Sequence, residues 1–275
     1  MKFLRFKNKA DSLNDDGQIK SGFLDDDNKI IELKGDILDY FNKDIKSILD
    51  NMIASHSLDD IEILSPTEPS KIVCIGLNYK DHAKELNLDL PESPVIFIKP
   101  STTINRTDNI IVYPKVSKQI DYEGELAVVI GKKIKQVSVE EADDYIFGYT
   151  IINDVTARDF TLGDGQWTRG KSCDGFAPIG PYIETDLDPL NQNIVTKVNG
   201  NIKQNSNTSQ MIFSPQEIIS YVSETMTLNP GDVIATGTPP GVGEMKADSI
   251  VEVTIEDIGT LKNYLIKEEW KKLIK

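Results

Sequence analysis

Apolar and polar positions alternate over short spans along most of this 275-residue chain, and the longer period of a helix surfaces in few places. Lys2–Phe6, Gln18–Phe23 and Lys29–Leu33 read as short strands separated by Asp, Asn and Gly turns. The run Asp25-Asp26-Asp27 is a solvated hairpin tip, since it lacks the later ligands of a calcium loop. A helical run over Asp44–Ile53 and a strand at Ile61–Leu64 follow. Residues 1–68 therefore form a small α+β unit, with a linker over Pro66–Ser70, and residues 69–275 form a larger one.

The second unit opens on a buried strand, Lys71–Gly76. A short helix over Leu77–Leu86 comes next and ends at Leu88-Asp89-Leu90-Pro91. Strands at Val95–Lys99 and Ile110–Val112 lead to the stretch Asp121-Tyr122-Glu123-Gly124-Glu125-Leu126-Ala127-Val128-Val129-Ile130-Gly131. Ser138-Val139-Glu140-Glu141 reads as a capping box before another short helix. Tyr145–Asp154 is a strand with a polar end, and Val155–Asp159 turns helically, placing Asp154 and Arg158 on one side. A glycine-rich loop spans Gly163–Gly175. Strands at Ile179–Glu184 and Ile194–Val198 precede an Asn199-Gly200 hairpin turn. Ser214-Pro215 supplies an N-cap and an N1 proline for the helix Gln216–Met226. The strand Val233–Thr236, the loop Gly237–Gly243 and strands Ile250–Glu256 and Leu261–Ile266 complete the chain. Strands dominate and no fixed period repeats, so the fold class is α+β and mainly β.

The Asp121–Gly131 stretch stands out because its second half is continuously apolar. On a strand Glu123 and Glu125 project to the same side. Two carboxylates beside a buried run need a positive partner, unless they sit at a solvated edge. Neighbouring strands can bring Asp154 to them. Three carboxylates without a soft ligand suit magnesium or manganese. His56 and His82 are the only histidines and no Cys/His cluster exists, so zinc is disfavoured.

Charge narrows the partners. The formal net charge of −14 excludes a general nucleic-acid or anionic-membrane binder, yet allows a small acidic substrate held by local positive charge or a metal. No apolar run approaches the roughly 18 residues of a membrane span, and the N-terminus lacks the pattern of a signal peptide. Cys74 and Cys173 have no metal-ligand spacing, which suits a reduced, cytoplasmic protein.

His82 and Glu85 lie three apart on one helix face and form a candidate acid/base pair, although surface His–Glu pairs are common. Lys171 sits between glycines, where a lysine can hold a carboxylate; the alternative is a solvated lysine. Gly237–Gly243 lacks the Gly-Lys-Ser/Thr ending of a P-loop, so it reads as a rigid loop whose Thr238 can donate to an anion. Trp167, beside Gln166, either walls a pocket or anchors a core.

Five ordered blocks resemble the fumarylacetoacetate hydrolase superfamily. They are Gly76–Tyr79 with His82 and Glu85; Asp121–Glu125; Asn153–Asp159; Gln166–Ser172; and Gly231-Asp232 through Gly237–Gly243. The resemblance covers residues 70–267. It implies a mixed β-roll domain, a homodimer, and magnesium or manganese held by Glu123, Glu125 and Asp154. It further implies a His82–Glu85 dyad on a mobile segment that closes over substrate, and Lys171 as the residue that binds or polarises it. Arg158, Gln166 and Thr238 are the expected substrate contacts. Cys173-Asp174-Gly175 departs from the Phe-Asp-Thr of many relatives. The expected activity is C–C bond hydrolysis of an acylpyruvate-type 2-oxo acid through a metal-stabilised enolate. The alternatives are oxaloacetate decarboxylation, isomerisation or hydration of a 2-oxo-diene-dioate, and non-catalytic binding of a small molecule.

Overall fold

The computed structural model describes residues 1–10 and 17–269. Most of its strands join a twelve-stranded mixed sheet. At its middle lies the glutamate strand, Gly124–Ile130, antiparallel to Ile146–Asn153 on one side and to Val233–Ala235 on the other. Beyond Val233–Ala235 come the parallel Ile72–Ile75 and then Ile96–Lys99. Every residue of the glutamate strand is buried. A continuous Leu-Ala-Val-Val-Ile run requires cover on both faces, and it has it. Leu126, Val128 and Ile130 pack with Ile194, Val253, Ile255 and Val222, whereas Ala127 and Val129 pack with Phe3, Ile31, Ile72 and Ile179.

The second core contains N-terminal side chains, so residues 1–68 share an interior with the rest. Their strands also extend the same sheet, through Lys2 opposite Glu184 and Phe3 opposite Ile183. A five-stranded sheet (Asn201–Asn207, Asn193–Val198, Ile250–Ile255, Gly259–Lys267, Asn109–Tyr113) covers the other face of the glutamate strand. A three-stranded sheet joins Ile120–Tyr122 to Thr156–Ala157 and Gly243–Met245. The chain thus passes from the small sheet to the large one at Glu123. The Ser214–Glu217 capping box opens the helix Pro215–Thr225, whose Ile218, Ile219 and Val222 are buried.

Some local expectations change. The helix expected over Asp44–Ile53 is only Ile45–Leu49, and Met52–Ser57 instead pairs with Lys29–Leu33 as the sheet's last strand. Pairing with an open edge outcompetes a helix too short to hold itself. Glu141 does accept from the Ser138 amide at 3.1 Å, but only a 3₁₀ turn, Ala142–Tyr145, follows before the next strand. The helix expected from Leu77 starts at Lys80. Tyr79 bridges Met211, and the Asn78 side chain bonds Phe213 and Thr236, holding that approach extended. Val155–Asp159 begins as the strand Thr156–Ala157 and becomes a helix only at Arg158.

Candidate active site and metal centre

The sheet crossing at Glu123 builds the site. Glu125 opens the strand opposite Ile152, and the Asp154 amide donates to the Glu123 carbonyl at 2.8 Å. Carboxylate oxygens of Glu123, Glu125 and Asp154 consequently lie within 4.8 Å of one another, all three residues buried. Their compensation comes from three directions. Lys171 Nζ donates to Glu123 at 2.7 Å and to Asp154 at 2.6 Å. Lys99 Nζ, fully buried, donates to the other Asp154 oxygen at 2.5 Å and to the Val155 carbonyl at 3.0 Å. Arg158 reaches Glu123 at 2.5 Å and Asp121 at 2.8 Å. Arg158 therefore shares the site with Asp154 but is bonded to two other carboxylates.

Glu125 is the exception. One oxygen accepts from the Gly237 amide at 2.7 Å, and the other has no hydrogen-bond partner among the described residues. Burial, reinforced by the charges of Asp154 and Glu123, holds its carboxyl well above the usual carboxylate range. Burial also pushes Asp154 up, but Lys171 and Lys99 outweigh it and hold that carboxyl low. For Lys171, burial disfavours the charge, while Asp154 and Glu123 raise its pKa and keep the ammonium protonated. Asp121, Glu123, Glu125 and Asp154 against Lys99, Lys171 and Arg158 leave one acid in excess, and Glu125 is the one without a cationic partner. Hard oxygen donors, an open carboxylate oxygen and that excess charge fit a divalent cation such as magnesium or manganese.

Of these groups, Asp121, Glu123, Glu125, Arg158 and Lys171 line a cavity of about 570 Å³. His82 and Glu85, from the helix Lys80–Leu86, line the same cavity. His82 Nδ1 donates to the Thr238 carbonyl at 3.0 Å, because a carbonyl can only accept, so the lone pair of the neutral imidazole is on Nε2. Nε2 lies 3.8 Å from Glu85, too far for a direct hydrogen bond and close enough for an ionic partner. Both Glu85 oxygens accept from the Gly241 amide, at 3.1 and 3.2 Å. The Gly237–Gly243 loop thus serves Glu125, His82 and Glu85 through its backbone.

Two of the expected substrate contacts are hydrogen-bonded within the protein. The Thr238 hydroxyl donates to the Gly124 carbonyl at 3.0 Å and accepts from Gln204 at 2.8 Å, so its hydrogen is committed. The Gln166 amide folds back on Thr168 and lies outside the cavity lining. Lys171, expected in a loop, ends the short helix Thr168–Lys171 and is buried. Trp167 lines the cavity, edge-on to Phe97.

Lys99 and Asp121 escape the motif reading. The one signal for Lys99 is a charged end on the strand Ile96–Lys99. Lys99→Met should lower the stability of the metal-free protein by about 3 kcal/mol, since it leaves a buried carboxylate short of a partner. Urea denaturation of the two proteins measures the difference, and equal midpoints would refute it.

The three buried carboxylates form a cluster that could hold a hard divalent cation. Residues 71–266 match the family described as fumarylacetoacetate (FAA) hydrolase, C-terminal, and the chain belongs to that family. It is 59% identical over 202 residues to an uncharacterized protein of Methanocaldococcus jannaschii, covering 74% of this chain and 85% of that one. It is 43% identical over 234 residues to the mitochondrial oxaloacetate tautomerase fahd2 of Xenopus laevis, covering 80% and 73%. Among solved structures, the 5-carboxymethyl-2-hydroxymuconate delta-isomerase of Mycobacterium smegmatis superposes with a TM-score of 0.86 at 38% identity, covering 98% of this chain and 100% of that one.

Proposed function

We propose that this protein is a divalent-metal-dependent enzyme that moves a proton on the enol form of a small acidic 2-oxo acid. The observation carrying this reading is one cavity lined both by Glu123, Glu125 and Lys171 and by His82, whose Nδ1 is held by the Thr238 carbonyl. Bound magnesium or manganese, held by Glu123, Glu125 and Asp154, would polarise the substrate's 2-oxo oxygen as a Lewis acid. Two of the three Lys171 N–H groups are on carboxylates, and the third is left for a substrate oxygen. His82 Nε2 takes the proton from the carbon beside the oxo group while that oxygen gains one from solvent. Both transfers reverse when the enol returns to the keto form, and Glu85 stabilises the imidazolium between them. Two relatives whose names describe tautomerisation and isomerisation support proton transfer as the chemistry.

Acylpyruvate C–C hydrolysis is the second reading, favoured by the cavity's apolar rim. Leu77, Leu86, Leu88, Phe97, Trp167 and Val242 suit an acyl tail better than a second carboxylate. The experiment is a set of enol-absorbance assays with oxaloacetate and acylpyruvates in magnesium or manganese. Enol–keto interconversion without pyruvate release supports tautomerisation; pyruvate release from acylpyruvates supports hydrolysis. No turnover of either class would sink both.

Leu86, at the end of the helix Lys80–Leu86, and Leu88 just beyond it line the cavity yet are half exposed, as expected of a segment that closes over substrate. Amide exchange across Tyr79–Leu88 should slow when oxalate, a mimic of the pyruvate enolate, is added with metal. Unchanged exchange at saturating oxalate would count against closure.

A further inference from the structure

We propose that Gln204 and Ser206 are positioning residues that hold the His82 imidazole from two sides. The idea rests on His82 as the base of the reaction proposed above. Both residues lie on the strand Asn201–Asn207, two apart and so on one face.

Gln204 is fully buried, with both ends of its amide in use. Its oxygen accepts from the Gly124 amide at 3.0 Å, and its nitrogen donates to Thr238 Oγ1 at 2.8 Å and to the Pro239 carbonyl at 2.9 Å. Gly124 is the residue between Glu123 and Glu125, and its carbonyl accepts from the Thr238 hydroxyl. One side chain therefore ties the backbone between two carboxylates to the loop whose Thr238 carbonyl fixes His82 Nδ1. The loop also presses on this strand beyond Gln204. A Cβ on Gly241, where φ is +92°, would lie 2.1 Å from the Lys203 carbonyl oxygen. Gly241 in turn holds Glu85 by its amide, and Tyr122 donates to the Gly241 carbonyl at 2.7 Å.

Ser206 acts from the helix side. Its hydroxyl donates to Asp81 at 2.5 Å, and the other Asp81 oxygen accepts from the His82 amide at 3.0 Å. The ring is thus aimed by the loop that Gln204 seats, and its backbone is fixed through the Asp81 that Ser206 anchors. Which imidazole nitrogen carries the proton depends on the bond made by the other. Loosening either support frees Nδ1 from Thr238 and lets the proton pass to Nε2, which removes the open base.

The test reads the tautomer directly, by imidazole ¹⁵N NMR of the magnesium-loaded full chain. Its two histidines make each signal assignable, and His56, bonded to Glu32 at 2.6 Å in the N-terminal strands, is the internal reference. Gln204→Glu keeps the acceptor for Gly124 and loses both N–H donors; Ser206→Ala removes one hydroxyl. Wild-type His82 should show the Nδ1–H form, and both variants should move it toward Nε2–H with His56 unchanged, and with magnesium affinity unchanged in Ser206→Ala. On a turned-over substrate, kcat should fall about 10- to 100-fold in Gln204→Glu with KM little altered, the scale of a misplaced catalytic group. An unmoved His82 in both variants overturns the proposal, as does a parallel change at His56. If Gln204→Glu does not fold, Ser206→Ala decides alone. A shifted tautomer in a protein that turns over no 2-oxo acid keeps the positioning role and removes the proposed function.

Discussion

Glu125→Gln should abolish metal-dependent turnover while leaving the fold intact. Glutamine keeps the shape and the oxygen that accepts from Gly237, but it removes the charge that makes the cluster a cation site. The metal-free variant should also be more stable than metal-free wild type at pH 8. Burial and the neighbouring carboxylates raise the Glu125 pKa in the fold, so the native state binds more protons than the unfolded chain above the usual carboxylate range. Wild-type stability from this group therefore falls as pH rises, and the gap between the two proteins should close as pH is lowered and Glu125 takes up its proton. Magnesium titration calorimetry and thermal melts between pH 5 and pH 8 check both parts. Undiminished turnover in excess EDTA, or equal melts at every pH, would remove Glu125 from the cation site.

His82→Ala should lower kcat for proton transfer, or for acylpyruvate hydrolysis, by roughly two to four orders of magnitude, the usual worth of a general base. Oxalate affinity should be retained, because the carboxylate cluster and Lys171 hold that end of the cavity. Decarboxylation of oxaloacetate needs neither an attacking water nor a proton taken from carbon, so it should lose much less. The informative quantity is the ratio of the two losses in one variant. Equal losses would mean that His82 closes or shapes the cavity and is not the base.

Both predictions depend on residues that are legible along the chain, but in different degrees. Glu123 and Glu125 are paired by strand periodicity, because side chains two apart share a face wherever the strand goes. His82 and Glu85 are paired by helix periodicity for the same reason, and Ser214 with Glu217 by a local capping rule. One secondary-structure expectation failed where a local preference met a tertiary competitor. Asp44–Ile53 gave up half its helix to an edge pairing with Lys29–Leu33. Thr238 and Gln166 look like free donors in sequence, yet Gln204 and Gly124 claim the first and Thr168 the second.

Short-range repeat and charge type by themselves determined a mainly β chain, a buried strand with two co-facing glutamates, and a His–Glu pair three residues apart. Tertiary structure alone decided that Lys99 would neutralise Asp154 from 55 positions away, that Arg158 would bind Asp121 and Glu123, and that a loop backbone would aim His82. The physical reason is range. Periodicity fixes which side chains share a face within one element, whereas a buried charge takes its partner from whichever strand the sheet order places beside it.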